Sequence, residues 1–211
     1  MVATSIALAD RGYLAGTGGN IALRADDEHF LVTPSGVDYY AMGPGDICVI
    51  RLADKSQVEG EMPASVVAGL HGNVLNARPD CRASIHTHQP IASAYTLLAI
   101  PLVVENVAHR LTVGAEIPCV SYAPSGTGFL AKKVGNAFNE FTHACLMRNH
   151  GVVCVGEDIE QAIDRVATLE AACAAFFLRS NASDSGPGAT AELIRQTLMA
   201  ERDSHQKDAT R

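Results

Sequence analysis

The stretch Arg78-Pro79-Asp80-Cys81-Arg82-Ala83-Ser84-Ile85-His86-Thr87-His88 joins a helix-breaking proline, a short apolar strand and two closely spaced histidines. Successive side chains of a strand point to opposite faces, so residues two apart share a face. His86 and His88 can therefore reach one metal ion. The pattern alone is also consistent with one surface histidine and one core histidine. A catalytic zinc site needs a third protein ligand and an open position for substrate.

His150 is the best candidate for that third ligand. It stands in Asn149-His150-Gly151, a predicted turn between the apolar strands Ala144–Met147 and Val152–Val155. Loops at strand ends are where functional side chains often collect. The remaining histidines have no partner at a useful spacing, and we predict mostly structural or solvated roles for them. They are His29, His71, His109, His143 and His205, of which His109 lies in the otherwise unexplained segment Val104–Thr112.

Two glycine-containing turns form the second signal. Gly16-Thr17-Gly18-Gly19-Asn20 is followed by Thr33-Pro34-Ser35-Gly36. Such turns expose backbone N–H groups that can hold a phosphate or another anion, and the hydroxyls of Thr17, Ser35 and Ser65 can add donors. The spacing matches neither a dinucleotide fingerprint nor a Walker loop. Plain loop structure is the alternative interpretation.

The rest of the chain alternates short strands with helices, which predicts a layered α/β domain with helices covering a central sheet. We expect this domain to span residues 1–182. Residues 183–188 read as a linker, and residues 189–211 as a C-terminal helix with a polar tail. The other predicted strands are Asn20–Arg24, His29–Thr33, Ile47–Leu52, Ala83–His88, Pro101–Val104 and Cys119–Ala123, and the main helices are 64–77, 90–99, 126–141 and 157–180.

Composition limits the classes of function. The chain has 211 residues, of which 47% are hydrophobic and 18% charged, so one domain can bury a sizeable core. The net charge of −7 argues against nucleic acid or an anionic membrane surface as a partner. No apolar run reaches the roughly 20 residues of a membrane span. The six cysteines form no CxxC pair, and no signal peptide opens the chain, which indicates reduced thiols in a cytoplasmic protein.

The order of these motifs resembles the class II aldolase/adducin family over about residues 5–180. The glycine turn, Thr33-Pro34-Ser35-Gly36, Pro63-Ala64-Ser65, the Arg78–His88 stretch and Asn149-His150-Gly151 appear in the family's order. The resemblance implies an αβα layered domain with a mixed, largely antiparallel central sheet. It also implies a homotetramer whose active sites lie at subunit interfaces.

The resemblance also implies roles for individual residues. His86, His88 and His150 match the family's metal-binding histidines. The metal implied is Zn²⁺, with Mn²⁺ or another divalent cation as the alternative. The residues that match the phosphate-binding loops are Gly19, Asn20, Ser35, Gly36 and Ser65.

Two departures from the family pattern concern proton transfer. The family's acidic residue follows the Pro63 stretch, but here Val66 or Val67 occupies its place, and valine can neither transfer a proton nor bind a metal. The nearest acid, Glu61, precedes the proline. Where the family has a tyrosine proton donor, this chain has Glu105, for which we predict a catalytic acid role; an exposed or ion-paired glutamate is the alternative.

The resemblance therefore implies a metal-dependent lyase that cleaves a carbon–carbon bond of a small sugar phosphate through a metal-stabilised enediolate. Decarboxylation and epimerisation remain alternatives, because the usual acid is missing and departure of CO₂ needs no protonated aldehyde oxygen. A non-catalytic protein, with or without metal, is a further alternative.

Overall fold

Ten strands and six α-helices follow one another in the part of the chain that the computed structural model describes, residues 1–14 and 18–182. Residues 15–17, the predicted linker and the predicted C-terminal helix lie outside the described residues. The helices and strands in chain order are α1 (Val2–Asp10), β1 (Asn20–Arg24), β2 (His29–Val32), β3 (Cys48–Arg51), β4 (Gln57–Glu59), α2 (Ala68–Ala77), β5 (Ala83–Thr87), α3 (Pro90–Thr96), β6 (Leu102–Val103), α4 (Val107–Val113), β7 (Glu116–Ile117), β8 (Cys119–Val120), α5 (Gly128–Ala137), β9 (Ala144–Met147), β10 (Gly151–Gly156) and α6 (Ile159–Ala182).

Eight of the strands form one sheet in the order β4-β3-β2-β1-β5-β10-β9-β8. The pair β8 and β9 is parallel, and every other neighbouring pair in this sheet is antiparallel. The predicted mixed, largely antiparallel sheet is therefore confirmed. Strand β5 lies between β1 and β10, so all of its residues are buried.

The two faces of the sheet carry different helices. Along β10, Val152 and Cys154 belong to a core cluster that includes Leu8 of α1 and Leu169 of α6, whereas Val153 belongs to a second cluster with α2 and α5. This alternation follows from the two-residue period of a strand. It places the sheet between two helical layers and confirms the predicted αβα arrangement. None of the helices in the described ranges combines the length and apolar character that crossing a bilayer requires.

Most predicted elements are found, with two informative differences. Helix α2 begins at Ala68 rather than at residue 64, because Ala64 pairs with Pro34 in an isolated antiparallel bridge. The unexplained segment Val104–Thr112 contains all of α4 except its last residue. The Asn106 side chain caps the first turn of this helix by accepting a hydrogen bond from the backbone N–H of His109.

A buried guanidinium group connects helix α6 to α4 and to strand β10 at the end of the sheet opposite the histidines. Arg165 of α6 is 8% exposed, and it donates to the carbonyl oxygens of Thr112 and Val155 at 3.2 and 2.8 Å. A methionine at this position keeps much of the stem but removes both donors.

We therefore expect Arg165→Met to lower the free energy of unfolding by about 2 kcal/mol, because two carbonyl groups lose their partner. Urea denaturation followed by circular dichroism measures this change. The matched control is Arg51→Met, since Arg51 forms an exposed ion pair with Asp54 and should change stability by less than about 0.5 kcal/mol. Equal losses of unfolding free energy in the two variants would show that the buried hydrogen bonds of Arg165 stabilise the fold no more than the exposed ion pair of Arg51.

Candidate metal and anion site

Three imidazole rings meet at one end of the central strand. His86, His88 and His150 each offer a ring nitrogen, and these nitrogens lie within 4.8 Å of one another. The ring centroids are 4.6 to 5.3 Å apart. Three nitrogen donors at this separation could hold one divalent ion and leave a coordination position open.

Strand geometry accounts for this convergence. His86 lies on β5 directly opposite Asn20 of β1 and Val153 of β10. His88 follows the strand, and its backbone N–H donates to Tyr13 O at 2.9 Å. His150 ends a tight turn in which Asn149 has a φ of 54°, a left-handed conformation that asparagine tolerates better than most residues.

Gly151 lets the strands approach closely at this point. A Cβ atom built on Gly151 would lie 2.5 Å from both His88 Cδ2 and Thr87 O, and 3.2 Å from His86 Cε1. No side chain larger than hydrogen fits without displacing these groups. Gly151 is therefore needed for the observed close approach of the three rings.

The imidazoles are suited to bind a cation at neutral pH. His86 Nδ1 lies 2.8 Å from Val152 O, so this nitrogen carries the hydrogen and Nε2 keeps its lone pair. His88 Nε2 is buried, and no group of the described residues forms a hydrogen bond with it. Burial, and then the proximity of His88, lowers the pKa of His150 to about 4. Burial also lowers the pKa of His86 and of His88, so all three rings are neutral at pH 7.

The predicted turn Thr33-Pro34-Ser35-Gly36 pairs with the stretch Pro63-Ala64-Ser65 beside these rings. Ser35 N–H donates to Pro63 O at 2.8 Å, and Ser65 N–H donates to Thr33 O at 3.3 Å. A cleft of about 200 Å³ lies between them. Its lining contains all eight predicted metal and phosphate residues, together with Gly18, Pro34, Val66, Val67 and Ser125.

Buried side chains outside the predicted set hold these loops. Tyr39 Oη donates to Gly18 O and Gly19 O at 3.1 and 2.7 Å, and burial raises its pKa to about 12. His71 of α2 is fully buried and lies 2.5 Å from Asn20 Oδ1 through its Nε2 atom. Burial lowers the pKa of His71 to about 3, so it is neutral.

The sequence predicts only a structural or solvated role for His71, although it also carries a signal for burial. His71 lies on the same helical stripe as the apolar residues Val67, Leu70 and Val74, at the spacing of a buried face. A polar residue at a buried position needs hydrogen-bond partners. Ser125, in the turn before α5, carried no comparable signal.

The residues considered for proton transfer are placed differently. Val66 and Val67 both line the cleft, but Val66 is 70% exposed, whereas Val67 is 5% exposed and packs in the core cluster with residues of α2 and α5. Glu61 is exposed outside the cleft lining. Glu105 is also outside that lining, and its carboxylate pairs with Arg179 of α6 at 3.0 Å. Within the described residues, no Asp, Glu, Lys, Arg or Tyr side chain lines the cleft.

Comparison with known proteins agrees with this architecture. The family model described as "Class II Aldolase and Adducin N-terminal domain" matches residues 1–177. A 5-methylthioribulose-1-phosphate/5-deoxyribulose-1-phosphate aldolase of Rhodospirillum rubrum is 31% identical over 159 residues, which are 75% of this chain and 70% of that protein. An L-fuculose phosphate aldolase of Methanococcus maripaludis is 29% identical over 163 residues, covering 77% of this chain and 86% of the relative.

Comparison with solved structures also finds aldolases of a sugar phosphate. A structure of L-fuculose 1-phosphate aldolase superposes with a TM-score of 0.81 at 25% identity, covering 92% of both chains. The L-fuculose-1-phosphate aldolase of Thermus thermophilus gives a TM-score of 0.74 at 27% identity, covering 88% of this chain and 94% of the other.

Proposed function

Because the chain belongs to the class II aldolase and adducin N-terminal domain family, we propose that it is a divalent-metal-dependent lyase that cleaves a carbon–carbon bond in a small sugar phosphate. One observation carries this proposal: three neutral imidazoles line the same cleft as three segments that carry anion donors, residues 18–20, residues 34–36 and Ser65. The two relatives described above are named as aldolases of phosphorylated sugars.

We assign His86, His88 and His150 as the metal ligands. Three uncharged ligands leave the full charge of a divalent ion unneutralised, and a fourth position is left for substrate. When bound, the ion supplies positive charge that stabilises negative charge developing on substrate oxygens. Zn²⁺ suits three imidazole ligands, and Mn²⁺ or another divalent cation is the alternative.

We assign the substrate's phosphate to these three segments. Gly19, Asn20, Ser35, Gly36 and Ser65 all face the cleft that the imidazoles close. Backbone N–H groups and hydroxyls bind a phosphate without a balancing lysine or arginine, which agrees with the absence of such side chains from the described lining. The phosphate would thereby orient the reacting end of the substrate toward His86, His88 and His150.

Proton transfer requires an acidic or basic side chain, and the described residues of one subunit place no Asp, Glu, Lys, Arg or Tyr in the cleft lining. We propose that Glu105 supplies it across a subunit interface of a homotetramer. Close to Glu105, α4 exposes Val107 and Leu111, which lie four residues apart on one face and are 69% and 83% exposed. Exposed apolar side chains grouped in this way are typical of protein–protein contact surfaces.

The free state of all six cysteines supports a cytoplasmic location.

We expect Glu105→Gln to lower turnover at least about tenfold, because glutamine keeps the size of the side chain and removes its exchangeable acid. Steady-state cleavage at saturating metal measures this. Arg179→Gln is the control, since it removes the partner of Glu105 and leaves the carboxylate in place. Unchanged turnover in Glu105→Gln would assign the carboxylate to the ion pair alone.

A carboxylate placed in the cleft should make the reaction independent of Glu105. In the Glu105→Gln background, we expect Val66→Glu to raise proton exchange at least about tenfold, because position 66 is exposed and lines the cleft. Val66→Gln in the same background has matched size and no basic oxygen. Exchange rates that are equal in the two double variants would show that position 66 does not face the reacting carbon.

Carbon-bound proton exchange tests the proposed function without knowledge of the aldehyde. The zinc-loaded or manganese-loaded protein is incubated with dihydroxyacetone phosphate in D₂O, and NMR follows the protons next to the carbonyl. We expect exchange that depends on metal and on His86. Metal-loaded protein that gives no exchange would contradict cleavage of ketose phosphates.

Decarboxylation is a second candidate, and one observation favours it. The described cleft lining carries Val66 in place of a proton-transferring side chain. Loss of CO₂ produces the same kind of developing negative charge without protonation of a leaving aldehyde. Release of CO₂ from small phosphorylated oxo-acids, measured on the same metal-loaded preparation, distinguishes the two reactions.

A further inference from the structure

A chain of four buried or nearly buried side chains connects the central strand to the anion loops. Ser84 Oγ lies 2.8 Å from His71 Nδ1, and His71 Nε2 lies 2.5 Å from Asn20 Oδ1. Asn20 Nδ2 then donates to Ser65 Oγ at 3.0 Å. Ser84 and His71 are fully buried, while Asn20 and Ser65, which line the cleft, are 6% and 7% exposed.

The donors and acceptors in this series of hydrogen bonds determine which group donates at each step. The backbone N–H of Val67 also points at Ser65 Oγ, at 3.4 Å, and a backbone N–H can only donate. Ser65 Oγ thus accepts this hydrogen, and with its second lone pair it accepts from Asn20 Nδ2, so that Asn20 Oδ1 faces His71 in the structure. A neutral imidazole has one N–H and one lone pair. His71 consequently donates from Nε2, and its Nδ1 accepts the hydroxyl hydrogen of Ser84.

We propose that His71 is a positioning residue for the anion site: it fixes the orientation of the Asn20 amide, so that Ser65 directs its hydroxyl hydrogen into the cleft toward the substrate's phosphate. This inference rests on the proposed function, because it assumes an anion in the cleft. The reverse orientation of the Asn20 amide would draw the Ser65 hydrogen to Asn20 and present a lone pair to the anion. A donor in place of that lone pair is what an anion requires.

The location of His71 agrees with an orienting role. It reaches from α2 to β1 and β5, the two strands on which Asn20 and His86 face each other. The imidazole thus fixes the anion loop relative to the strand that carries the first metal-binding histidine. A phenylalanine would fill the same space and make neither hydrogen bond.

The tautomer of His71 in the unaltered protein tests the direction of these hydrogen bonds. Long-range ¹H–¹⁵N NMR of the zinc-loaded protein, with the signal assigned by its loss in His71→Gln, identifies which ring nitrogen carries the hydrogen. We expect the hydrogen on Nε2, with and without inorganic phosphate. Hydrogen on Nδ1 in the phosphate complex overturns the proposal.

Binding of inorganic phosphate tests the consequence for the site. Calorimetry gives the Kd, and amide shifts of Gly19 and Gly36 locate the ion. We expect His71→Phe to weaken binding about tenfold or more, because the Asn20 amide loses its fixed partner. His71→Gln, which can present an amide N–H near the Nε2 position, should stay within about threefold of the wild type. His143→Phe is the control for removing a partly buried imidazole elsewhere.

The outcomes separate the two proposals. Failure of the wild-type protein to show phosphate-dependent shifts at Gly19 and Gly36 contradicts the anion site of the proposed function, and the role of His71 with it. Wild-type binding that His71→Phe retains in full contradicts only the role of His71. If His71→Phe does not fold, Ser84→Ala replaces it, since this variant frees Nδ1 and should lower the Nε2–H population; an unchanged tautomer and unchanged Kd overturn the proposal.

Discussion

His86→Ala is expected to abolish stoichiometric metal binding and to lower turnover at least about a thousandfold. The substitution removes one of three nitrogen donors that lie within 4.8 Å of one another. A bound ion contributes several kcal/mol of charge stabilisation, and each 1.36 kcal/mol corresponds to a factor of ten in rate. His150→Ala is expected to have the same effect, although its side chain comes from a turn rather than from the central strand.

Metal content after dialysis, measured by plasma mass spectrometry, checks this expectation alongside the exchange assay. His29→Ala is the matched control, because His29 pairs with Asp26 on the surface and is outside the cluster. Since His86 is buried, circular dichroism must first show that its variant is folded. Full metal retention in both His86→Ala and His150→Ala would rule out the ligand assignment.

Gly151→Ala is expected to lower turnover about a hundredfold while leaving every proposed ligand in place. The added methyl group would lie 2.5 Å from His88 Cδ2 and from Thr87 O, so the ring and the strand must separate. A displacement of about 1 Å at a reacting site can cost a factor of about 10². The same displacement should weaken zinc binding by at least about tenfold.

A zinc competition titration and the exchange assay together measure the two effects. Gly69→Ala is the matched control, because a Cβ at Gly69 meets no atom within 4 Å and the residue lies inside α2. That variant should retain full zinc affinity. Zinc affinity of Gly151→Ala equal to that of the control would show that the rings tolerate the methyl group and that close strand approach is not required.

The fold was largely predictable because the apolar pattern of the chain agrees with its final layers. Asn20–Arg24 and Ala144–Met147 were predicted with the observed bounds, since both strands are flanked by turn residues. Helix α4 was missed, because two of its apolar side chains, Val107 and Leu111, face outward and produce no buried stripe. The start of α2 was misplaced because Ala64 joins a pairing with Pro34, a contact distant in sequence.

The candidate site was predictable to the extent that its residues occur in local motifs. The histidine pair and the glycine turns each carry their signal within a few residues. His71 reaches Asn20 across 51 positions, so no local pattern reveals the contact. Glu105 remains a prediction: the single chain pairs it with Arg179, and its proposed role depends on a neighbouring subunit.

The register of β1, β5 and β10 also determines when the site can exist. Asn20, His86 and Val153 are directly aligned across three adjacent strands, although they are far apart along the chain. Closing such long loops carries an entropic cost that is recovered only when the strands have paired. A nascent or partly folded chain therefore presents His86 and His88 without His150, and so lacks the complete set of three nitrogen donors. We expect metal uptake to follow sheet assembly, so that a bound ion stabilises the completed fold and does not initiate folding.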